Sequence, residues 1–185
     1  MEEKLIIAGF GGQGVMAMGQ LLTYSGMIED KNVSWLPSYG PEMRGGTANC
    51  NVTISTDPVG SPVVVEATTA VVLNLPSLDK FESSVVPGGN LLINSSLIER
   101  KAERDDVNAY YIPANDIALE LGNVRAANMV LLGALIEITG VIKEESVVEA
   151  FGKVFGETKA HLLPMNMEAL KRGTDLIKEQ MKANI

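Results

Sequence analysis

The chain has 185 residues, 46% of them hydrophobic, and this length and composition predict one compact domain, residues 1–185, with a single core. Its formal net charge of -8 and its lack of a dense basic patch argue against a nucleic-acid-binding surface. Cys50 is the only cysteine, which excludes a disulfide framework and any iron–sulfur cluster ligated within this chain alone.

The N-terminus and the apolar runs indicate where the protein works. Residues 1–4 lead directly into strand-like sequence, with no basic region or cleavage site typical of a signal peptide. The longest apolar run, at residues 129–136, is too short to span a bilayer. Because a lone cysteine also fits a reducing compartment, we expect a cytoplasmic protein with no membrane partner.

Strand patterns and helix patterns alternate along the chain. Pro37 is predicted to end the second strand, and Gly88-Gly89 is predicted to form a turn. The segment 48–55 alternates apolar and polar residues, which is typical of a half-solvated strand or of one whose polar face meets another polar group. The predicted strands are residues 4–8, 33–36, 48–55, 63–65, 70–75, 90–94 and 110–112.

Helices dominate the C-terminal part of the prediction. The predicted helices are residues 14–29, 114–122, 124–140, 143–155 and 164–182. The alternation predicts an α/β fold, a Rossmann-like three-layer domain with a mainly parallel sheet and a helical C-terminal portion. No repeat, low-complexity tract or linker divides it.

A glycine-rich loop lies between the first predicted strand and the first predicted helix. Gly9, Gly11 and Gly14 have the spacing G-x-G-x-x-G. Glycine allows a tight turn, and its lack of Cβ lets backbone N–H groups approach an anion at the helix N-terminus. A phosphate or another acidic group is chemically sensible there, and a tight turn without a ligand is the alternative.

A dinucleotide would need further support from the second strand. A carboxylate at the end of that strand should hold the ribose hydroxyls. Here the strand ends at Pro37 and Ser38, and Glu42 follows in a loop that contains Pro and Gly. The dinucleotide interpretation therefore lacks its strongest element.

A second group of residues with possible chemistry follows in the segment 38–47. Arg44 precedes Gly45 and Gly46, which leave room for its guanidinium to pair with a carboxylate or a phosphate. Glu42 is close enough in sequence to be its partner in an ordinary surface ion pair, which is the alternative to a functional role. The loop lies at the sheet edge where such folds place ligands, so we favour a contact with a ligand or a subunit.

The sequence offers no candidate catalytic residue. His161, the only histidine, has no Ser, Cys or carboxylate at a telling spacing, and a surface or capping role is expected for it. No cluster of His, Cys, Asp and Glu predicts a metal site, and neither a phosphate-binding P-loop nor a Gly-Asp-Gly segment for magnesium and thiamine diphosphate is present. Arg125 and Asn128 begin an apolar helix and could face a site, although a position at a helix end explains them equally well.

The two motifs together resemble a known family. The stretch Gly9-Phe10-Gly11-Gly12-Gln13-Gly14, followed by Pro41-Glu42-Met43-Arg44-Gly45-Gly46-Thr47, is similar to the gamma subunit of 2-oxoacid:ferredoxin oxidoreductases. The second motif looks most like the 2-oxoglutarate branch. Gamma-type subunits of the pyruvate, branched-chain 2-oxoacid and indolepyruvate enzymes are related alternatives, and a stand-alone nucleotide-binding oxidoreductase is the alternative from another class.

The resemblance implies a non-catalytic component of a multi-subunit enzyme. That enzyme decarboxylates a 2-oxoacid oxidatively with coenzyme A and passes electrons to ferredoxin. Thiamine diphosphate, magnesium and iron–sulfur clusters are then expected on the alpha, beta and delta-type subunits, and the isolated chain is expected to be inactive. Whether the isolated chain forms a homodimer is left open.

The resemblance also assigns roles to residues of both motifs. Gamma-type domains are associated with coenzyme A, and by that analogy four residues of the first motif become candidates for contact with it: Gly11, Gly12, Gln13 and Gly14. Residues of the second motif become candidates for a subunit interface or an anion contact: Tyr39, Glu42, Arg44, Gly45 and Gly46.

Overall fold

The computed structural model describes residues 1–38 and 47–184. Within them, the strands are β1 (Glu2–Phe10), β2 (Asn32–Ser38), β3 (Thr47–Ser55), β4 (Ala67–Val72), β5 (Val85–Asn94) and β6 (Asn108–Ile112). The α-helices of the same ranges are α1 (Val15–Ile28), α2 (Leu75–Phe81), α3 (Ala114–Glu120), α4 (Ala127–Thr139), α5 (Glu144–Phe155) and α6 (Leu163–Ala183).

The strands form one mixed sheet in the order β2-β3-β1-β4-β5-β6. Strands β1, β4, β5 and β6 run parallel to one another, while β3 runs antiparallel to both of its neighbours, β1 and β2. The carboxyl ends of the parallel strands consequently meet at one edge of the sheet. The predicted α/β fold with a mainly parallel sheet is confirmed.

Apolar side chains form a separate core on each face of the sheet. Alternate residues of β1 divide between them, so that Leu5 and Ile7 enter the core beneath α1 and α4, whereas Ile6 enters the core beneath α2. The first core continues among α4, α5 and α6, which explains the long helical C-terminal portion. The helix layers thus bury both faces of the parallel strands.

Two predictions about strands and one about a turn are wrong in detail. Residues 63–65 form no strand, and Val64 alone is buried while Val63 and Val65 point to solvent. Pro37 does not end β2, because β2 is at the edge of the sheet and a missing N–H is tolerated there. Gly88-Gly89 lies inside β5, beside an irregularity in its pairing with β4, and does not form a separate turn.

The helix predictions are confirmed to within a few residues, apart from one helix that the sequence analysis missed. Helix α2 begins at Leu75, which we predicted as the end of a strand. The side chain of Asn74 accepts a hydrogen bond from the Ser77 N–H and caps this helix, and Pro76 follows in the first turn. The seven residues of α2 are too few to show a helical apolar period.

Glu29 connects the end of α1 to the start of α5. Its carboxylate accepts hydrogen bonds from the Lys143 N–H at 2.6 Å, the Ser146 hydroxyl at 2.7 Å and the Lys31 ammonium at 2.7 Å. Burial raises the pKa of Glu29, but these hydrogen bonds and the charge of Lys31 outweigh burial and hold the pKa below its ordinary value. Glu29 therefore stabilises the fold at neutral pH, and this stabilisation is lost as the pH falls through the lowered pKa.

In the described ranges, no helix is both long and apolar enough to cross a bilayer.

Helices α4 and α6 cross at two glycines. A Cβ atom on Gly133 of α4 would overlap the carbonyl oxygen of Leu170, and one on Gly173 of α6 would overlap the carbonyl oxygen of Val130. Backbone atoms cannot move aside as a flexible side chain can. The two helices therefore approach this closely only because both positions are glycine.

We expect Gly133→Ala to lower the free energy of unfolding by about 1–3 kcal/mol or more, because the added methyl group forces α4 and α6 apart. Gly152→Ala in α5 is the matched control, since a Cβ there meets nothing within 4 Å. The control should raise the free energy of unfolding by about 0.5–1 kcal/mol through helix propensity. Urea unfolding measures both, and equal effects of the two substitutions would contradict the proposed close crossing.

Candidate functional site

The glycine loop lies at the carboxyl edge of the parallel strands. Strand β1 ends at Phe10, and α1 begins at Val15 after a four-residue turn. The neighbouring strands β4, β5 and β6 end at Val72, Asn94 and Ile112 on the same edge. This edge is where open α/β sheets place their ligands.

Two glycines of the motif are required by their surroundings. Gly9 is crowded, because a Cβ there would lie 2.6 Å from the Gln13 Oε1 and 2.9 Å from the Leu73 Cβ. Gly14 has a φ of 77° in the left-handed region, and a Cβ there would overlap the side chain of Asn128. The Asn128 Nδ2 donates a hydrogen bond to the Gly14 carbonyl oxygen at 3.2 Å. The loop is thus packed between β4 and α4.

Gln13 closes the turn on itself. Its backbone N–H donates to the Phe10 carbonyl oxygen, and its side-chain Oε1 accepts a hydrogen bond from the Phe10 N–H. Gln13, which we predicted as a contact of coenzyme A, therefore uses one side-chain atom to hold the loop. Its Nε2 has no hydrogen-bond partner among the described residues.

The backbone N–H groups at the start of α1 have no capping side chain and no acidic side chain beside them. Helix α1 has no acidic residue in its first turn, and its N-cap residue, Gly14, has no side chain with which to cap it. An open depression of about 280 Å³ lies against this helix start, lined by residues that include Phe10, Gly12, Val15 and Ala48. The N–H groups of the helix start are suited to an anion, and the depression beside them adjoins three of the four predicted contact residues, although its lining is mostly apolar.

A smaller cavity of about 130 Å³ also borders Gly12. It is lined by Gly12, Gln13, Leu73, Asn115, Arg125 and Ala127 among others. Arg125, which the sequence analysis left between a site and a helix-end role, therefore faces a cavity. Asn128, its companion in that analysis, packs under Gly14 and is 6% exposed, so its role is to position the loop.

Asn94 and Asn115 are functional candidates that the sequence analysis missed. Asn94 is the last residue of β5 and is buried, and its amide contacts Leu73, Ala114 and Asn115. Asn74 lies two residues beyond the end of β4 and is buried too. An asparagine at or near the end of an apolar strand pattern was the sequence signal that could have identified this edge, because strand ends meet there.

The second predicted group lies outside the described residues. Tyr39, Glu42, Arg44, Gly45 and Gly46 all fall within residues 39–46. The flanking residues are described, and Ser38 ends β2 while Thr47 begins β3, both at the edge that holds the glycine loop.

The antiparallel strand β3 removes the position at which a dinucleotide-binding domain holds the ribose. In such domains the strand beside β1 is parallel to it and ends next to the glycine loop with a carboxylate. Here β3 occupies that place and begins next to the loop, where Thr47 pairs with Phe10 and Ala48 with Gly9. Neither residue is acidic.

Two other expectations from the sequence concern metal ligands and His161. The described residues contain no group of three or more His, Cys, Asp and Glu side chains that could hold a metal ion. His161 is exposed in the 3₁₀ turn Glu157–Leu162, as the sequence predicted.

The comparisons with known proteins identify the family. Residues 4–176 match the pyruvate ferredoxin/flavodoxin oxidoreductase family. The chain belongs to this family. It is 40% identical over 186 residues to the ketoisovalerate oxidoreductase subunit VorA of Methanothermobacter thermautotrophicus, matching 100% of this chain and 38% of that protein. The chain thus spans less than half of that relative.

Other family members match along their whole length. The 2-oxoglutarate synthase subunit KorC of Methanocaldococcus jannaschii is 32% identical over 182 residues, which are 97% of this chain and 96% of KorC. The gamma subunit of a keto/oxoacid ferredoxin oxidoreductase from Geobacter sulfurreducens has the same fold, with a TM-score of 0.80, 26% identity and coverage of 96% and 99% of the two chains. The chain is therefore a gamma-type domain of the family, as its motifs predicted.

A larger solved enzyme contains the same fold. The 2-oxoglutarate:ferredoxin oxidoreductase of Magnetococcus marinus, solved with 2-oxoglutarate, coenzyme A and succinyl-CoA bound, superimposes with a TM-score of 0.87. The identity is 24%, and the match covers 96% of this chain and 31% of that one. The comparisons do not assign the chain to the predicted 2-oxoglutarate branch, because its identity to the ketoisovalerate subunit VorA is higher than its identity to KorC.

Cys50 lies in β3 beneath the start of α1 and is fully buried. Its Sγ lies 3.7 Å from the Val15 carbonyl oxygen, and burial raises the pKa of the thiol to about 12 despite the neighbouring Trp35 indole. The thiolate fraction at a given pH is therefore far lower than in an exposed cysteine.

We therefore expect Cys50 to resist thiol reagents in the folded chain. Labelling with a disulfide reagent at mildly alkaline pH should be slower by orders of magnitude than in the same chain in denaturant, because burial removes both the access of the reagent and the reactive thiolate. The chain has no other cysteine, so the denatured sample is its own control and must label completely. Similar rates in both samples would show that β3 and α1 do not enclose the thiol.

Proposed function

We propose that the chain is the gamma-type component of a 2-oxoacid:ferredoxin oxidoreductase. The enzyme would convert a 2-oxoacid and coenzyme A to an acyl-CoA and carbon dioxide, and would pass the two electrons released to ferredoxin. The observation that carries this proposal is the match of residues 4–176 to the family, since it spans both motifs and nearly all described elements.

The chain's own contribution would be binding and orientation of coenzyme A. The helix start after Gly14, the glycine backbone and the adjoining depression supply N–H donors and space for a phosphate group. Contact of coenzyme A with Gly11, Gly12, Gln13 and Gly14 is part of this proposal. The coenzyme A bound to the Magnetococcus enzyme is a property of that protein and supports the choice of ligand.

Other cofactors would be held by partner subunits. Thiamine diphosphate with magnesium supplies the carbanion chemistry of decarboxylation when bound, and iron–sulfur clusters supply electron transfer. One buried cysteine in this chain leaves cluster ligation to the partners. We place these groups on alpha, beta and delta-type subunits, with ferredoxin as the electron acceptor of the whole assembly.

We also propose that Tyr39, Glu42, Arg44, Gly45 and Gly46 contact a partner subunit or an anionic ligand. The support comes from the flanking residues, because Ser38 and Thr47 lie at the edge that holds the glycine loop. A segment attached at both points starts and ends beside the proposed coenzyme site.

Two 2-oxoacids compete as the substrate. The wording of the Arg44 motif suggests 2-oxoglutarate, whereas the 40% identity to VorA favours ketoisovalerate over the 32% identity to KorC. The branched side chain of ketoisovalerate is apolar and the second carboxylate of 2-oxoglutarate is charged. A single active site therefore discriminates strongly between them.

A stand-alone nucleotide-dependent oxidoreductase is the alternative from another class. The glycine spacing favours it, but the antiparallel β3 and the lack of a carboxylate beside the loop do not. Tight binding of NAD, NADP or FAD to the isolated chain in calorimetry would overturn our preference.

We expect the chain, expressed together with the genes that neighbour it, to co-purify with a thiamine diphosphate-binding subunit. The purified assembly should reduce ferredoxin with one of the two 2-oxoacids at least about tenfold faster than with the other, judged by kcat/KM. Faster turnover of ketoisovalerate would assign the branched-chain branch, and faster turnover of 2-oxoglutarate would assign the other. Failure to associate with any such subunit would refute the proposed function.

A substitution at Gly12 tests the coenzyme contact. Gly12 has a φ of 89°, and a Cβ there meets no atom within 4 Å, so alanine fits sterically but projects from the loop beside both spaces. We expect Gly12→Ala to raise the KM for coenzyme A about tenfold in the assembled enzyme, the worth of one hydrogen bond to a charged group.

Gly140→Ala provides the control for backbone strain. Gly140 ends α4 with a φ of 60° and also has nothing within 4 Å of a Cβ, but it lies away from the carboxyl edge of the sheet. Its substitution should leave the KM for coenzyme A unchanged. An unchanged KM in both variants would remove the glycine loop from the proposed site.

A further inference from the structure

Two hydrogen-bonded side-chain amides, those of Asn94 and Asn115, connect the buried end of β5 to the smaller cavity. Asn94 is fully buried, and its Nδ2 lies 2.8 Å from the Asn115 Oδ1 and 3.4 Å from the Leu73 carbonyl oxygen. Its Oδ1 lies 3.3 Å from the Ala114 N–H. Asn94 thereby connects the ends of β4 and β5 with the segment that follows β6, and both Leu73 and Asn115 line the cavity.

The backbone determines which way both amides face. The Ala114 N–H can only donate and the Leu73 carbonyl can only accept, so the Asn94 amide must place its oxygen toward Ala114 and its nitrogen toward Leu73. That nitrogen can only donate to Asn115, which must therefore turn its own oxygen toward Asn94. The Asn115 Nδ2, a double donor without a hydrogen-bond partner among the described residues, is left for the cavity.

Arg125 adds a further side-chain donor beside the cavity, whereas the Leu73 carbonyl oxygen already accepts from Asn94. Arg125 is exposed and forms no ion pair with any described residue, and its guanidinium can only donate. Ala127 opens α4, which has no acidic residue in its first turn, and Gly12 belongs to the loop before α1. None of the described residues that line the cavity is acidic. The field of both helix starts therefore favours negative charge there.

We propose that Asn115 and Arg125 form a subsite for a phosphate group, and that Asn94 is a positioning residue which makes Asn115 a donor. Donors approach this cavity of about 130 Å³ from α3, from the turn before α4 and from the glycine loop. A phosphate presents oxygens in several directions and can accept from all three, whereas a planar carboxylate is satisfied by Arg125 alone. The subsite deepens the proposed function, in which the phosphate would belong to coenzyme A.

The isolated full-length chain allows a direct test with inorganic pyrophosphate as the probe. Titration followed by ¹⁵N NMR should shift the Asn115 side-chain amide resonances, while those of the outlying Asn108 should stay in place. An Asn115 amide that does not respond at saturating pyrophosphate would overturn the proposal.

Substitutions at Asn115 and Arg125 test whether pyrophosphate binding depends on their hydrogen-bond donors. Asn115→Asp keeps an acceptor for Asn94 but turns an acceptor toward the cavity, and Arg125→Gln removes the cation. Each should weaken pyrophosphate binding at least about tenfold, the worth of one charge-assisted hydrogen bond. Asn108→Asp makes the same charge change at the opposite edge of the sheet, where β6 begins, and should change the affinity less than about twofold. Equal weakening by Asn108→Asp would reduce the effect to net charge and refute the subsite.

Asn94→Asp tests the positioning role. Aspartate still accepts from the Ala114 N–H, but it has no donor, so Asn115 must rotate to donate to it and must present its oxygen to the cavity. Pyrophosphate affinity should then fall as in Asn115→Asp, and the Asn115 amide signal should persist but no longer respond to pyrophosphate. A merely structural role predicts altered stability with an intact pyrophosphate response, which would refute the positioning role. If Asn94→Asp does not fold, Asn115→Asp still decides whether the donor matters.

The test distinguishes failure of this subsite from failure of the proposed function. Suppose that pyrophosphate binding depends on Asn115 but that Gly12→Ala leaves the KM for coenzyme A unchanged. This result would retain the phosphate subsite and refute the coenzyme assignment. The reverse result would retain coenzyme A at the glycine loop and refute the role of Asn115.

Discussion

The hydrogen bond from the Asn128 amide to the Gly14 carbonyl oxygen is the contact on which the site depends, because it holds the starts of α1 and α4 together. Gly14 can accept it only without a side chain, since a Cβ would overlap Asn128. Helix α4 is in turn held against α6 by Gly133 and Gly173. The position of the glycine loop is therefore coupled to the C-terminal helices, although these lie far from it in sequence.

The edge formed by this arrangement differs in charge from the rest of the molecule. The chain has a formal net charge of -8, yet the groups gathered beside the glycine loop are backbone N–H groups, amides and the Arg125 guanidinium. At long range the negative molecule repels an anionic ligand, and salt screens this repulsion. At short range the ligand is attracted by hydrogen-bond donors that are already held in position. Such a site favours recognition by fixed hydrogen bonds over electrostatic steering.

Much of the fold follows from patterns in the sequence, and the failures have physical causes. Long amphipathic or apolar periods located α1, α4, α5 and α6, and the glycine spacing placed the loop between β1 and α1. Residues 63–65 match strand propensity, but only Val64 finds a core to enter, and propensity does not contain that information.

The site was less accessible to sequence reasoning than the fold. The glycines and Arg125 were visible as motif and charge, whereas the amide pair depends on strand order. Asn94 and Asn115 are 21 residues apart, and they meet because β5 and β6 are parallel neighbours whose ends coincide. No local pattern encodes a contact of that kind.

The antiparallel orientation of β3 has a consequence for protein engineering. In a dinucleotide-binding enzyme, cofactor preference can be altered by exchanging the carboxylate at the end of the strand beside β1. Here β3 begins at the edge of the sheet where a parallel strand would end. Thr47 and Ala48 therefore occupy the position of that carboxylate, and they pair with Phe10 and Gly9. Recruiting this scaffold to a nicotinamide cofactor would require reversing a strand, which is a change of topology and beyond the reach of point mutation.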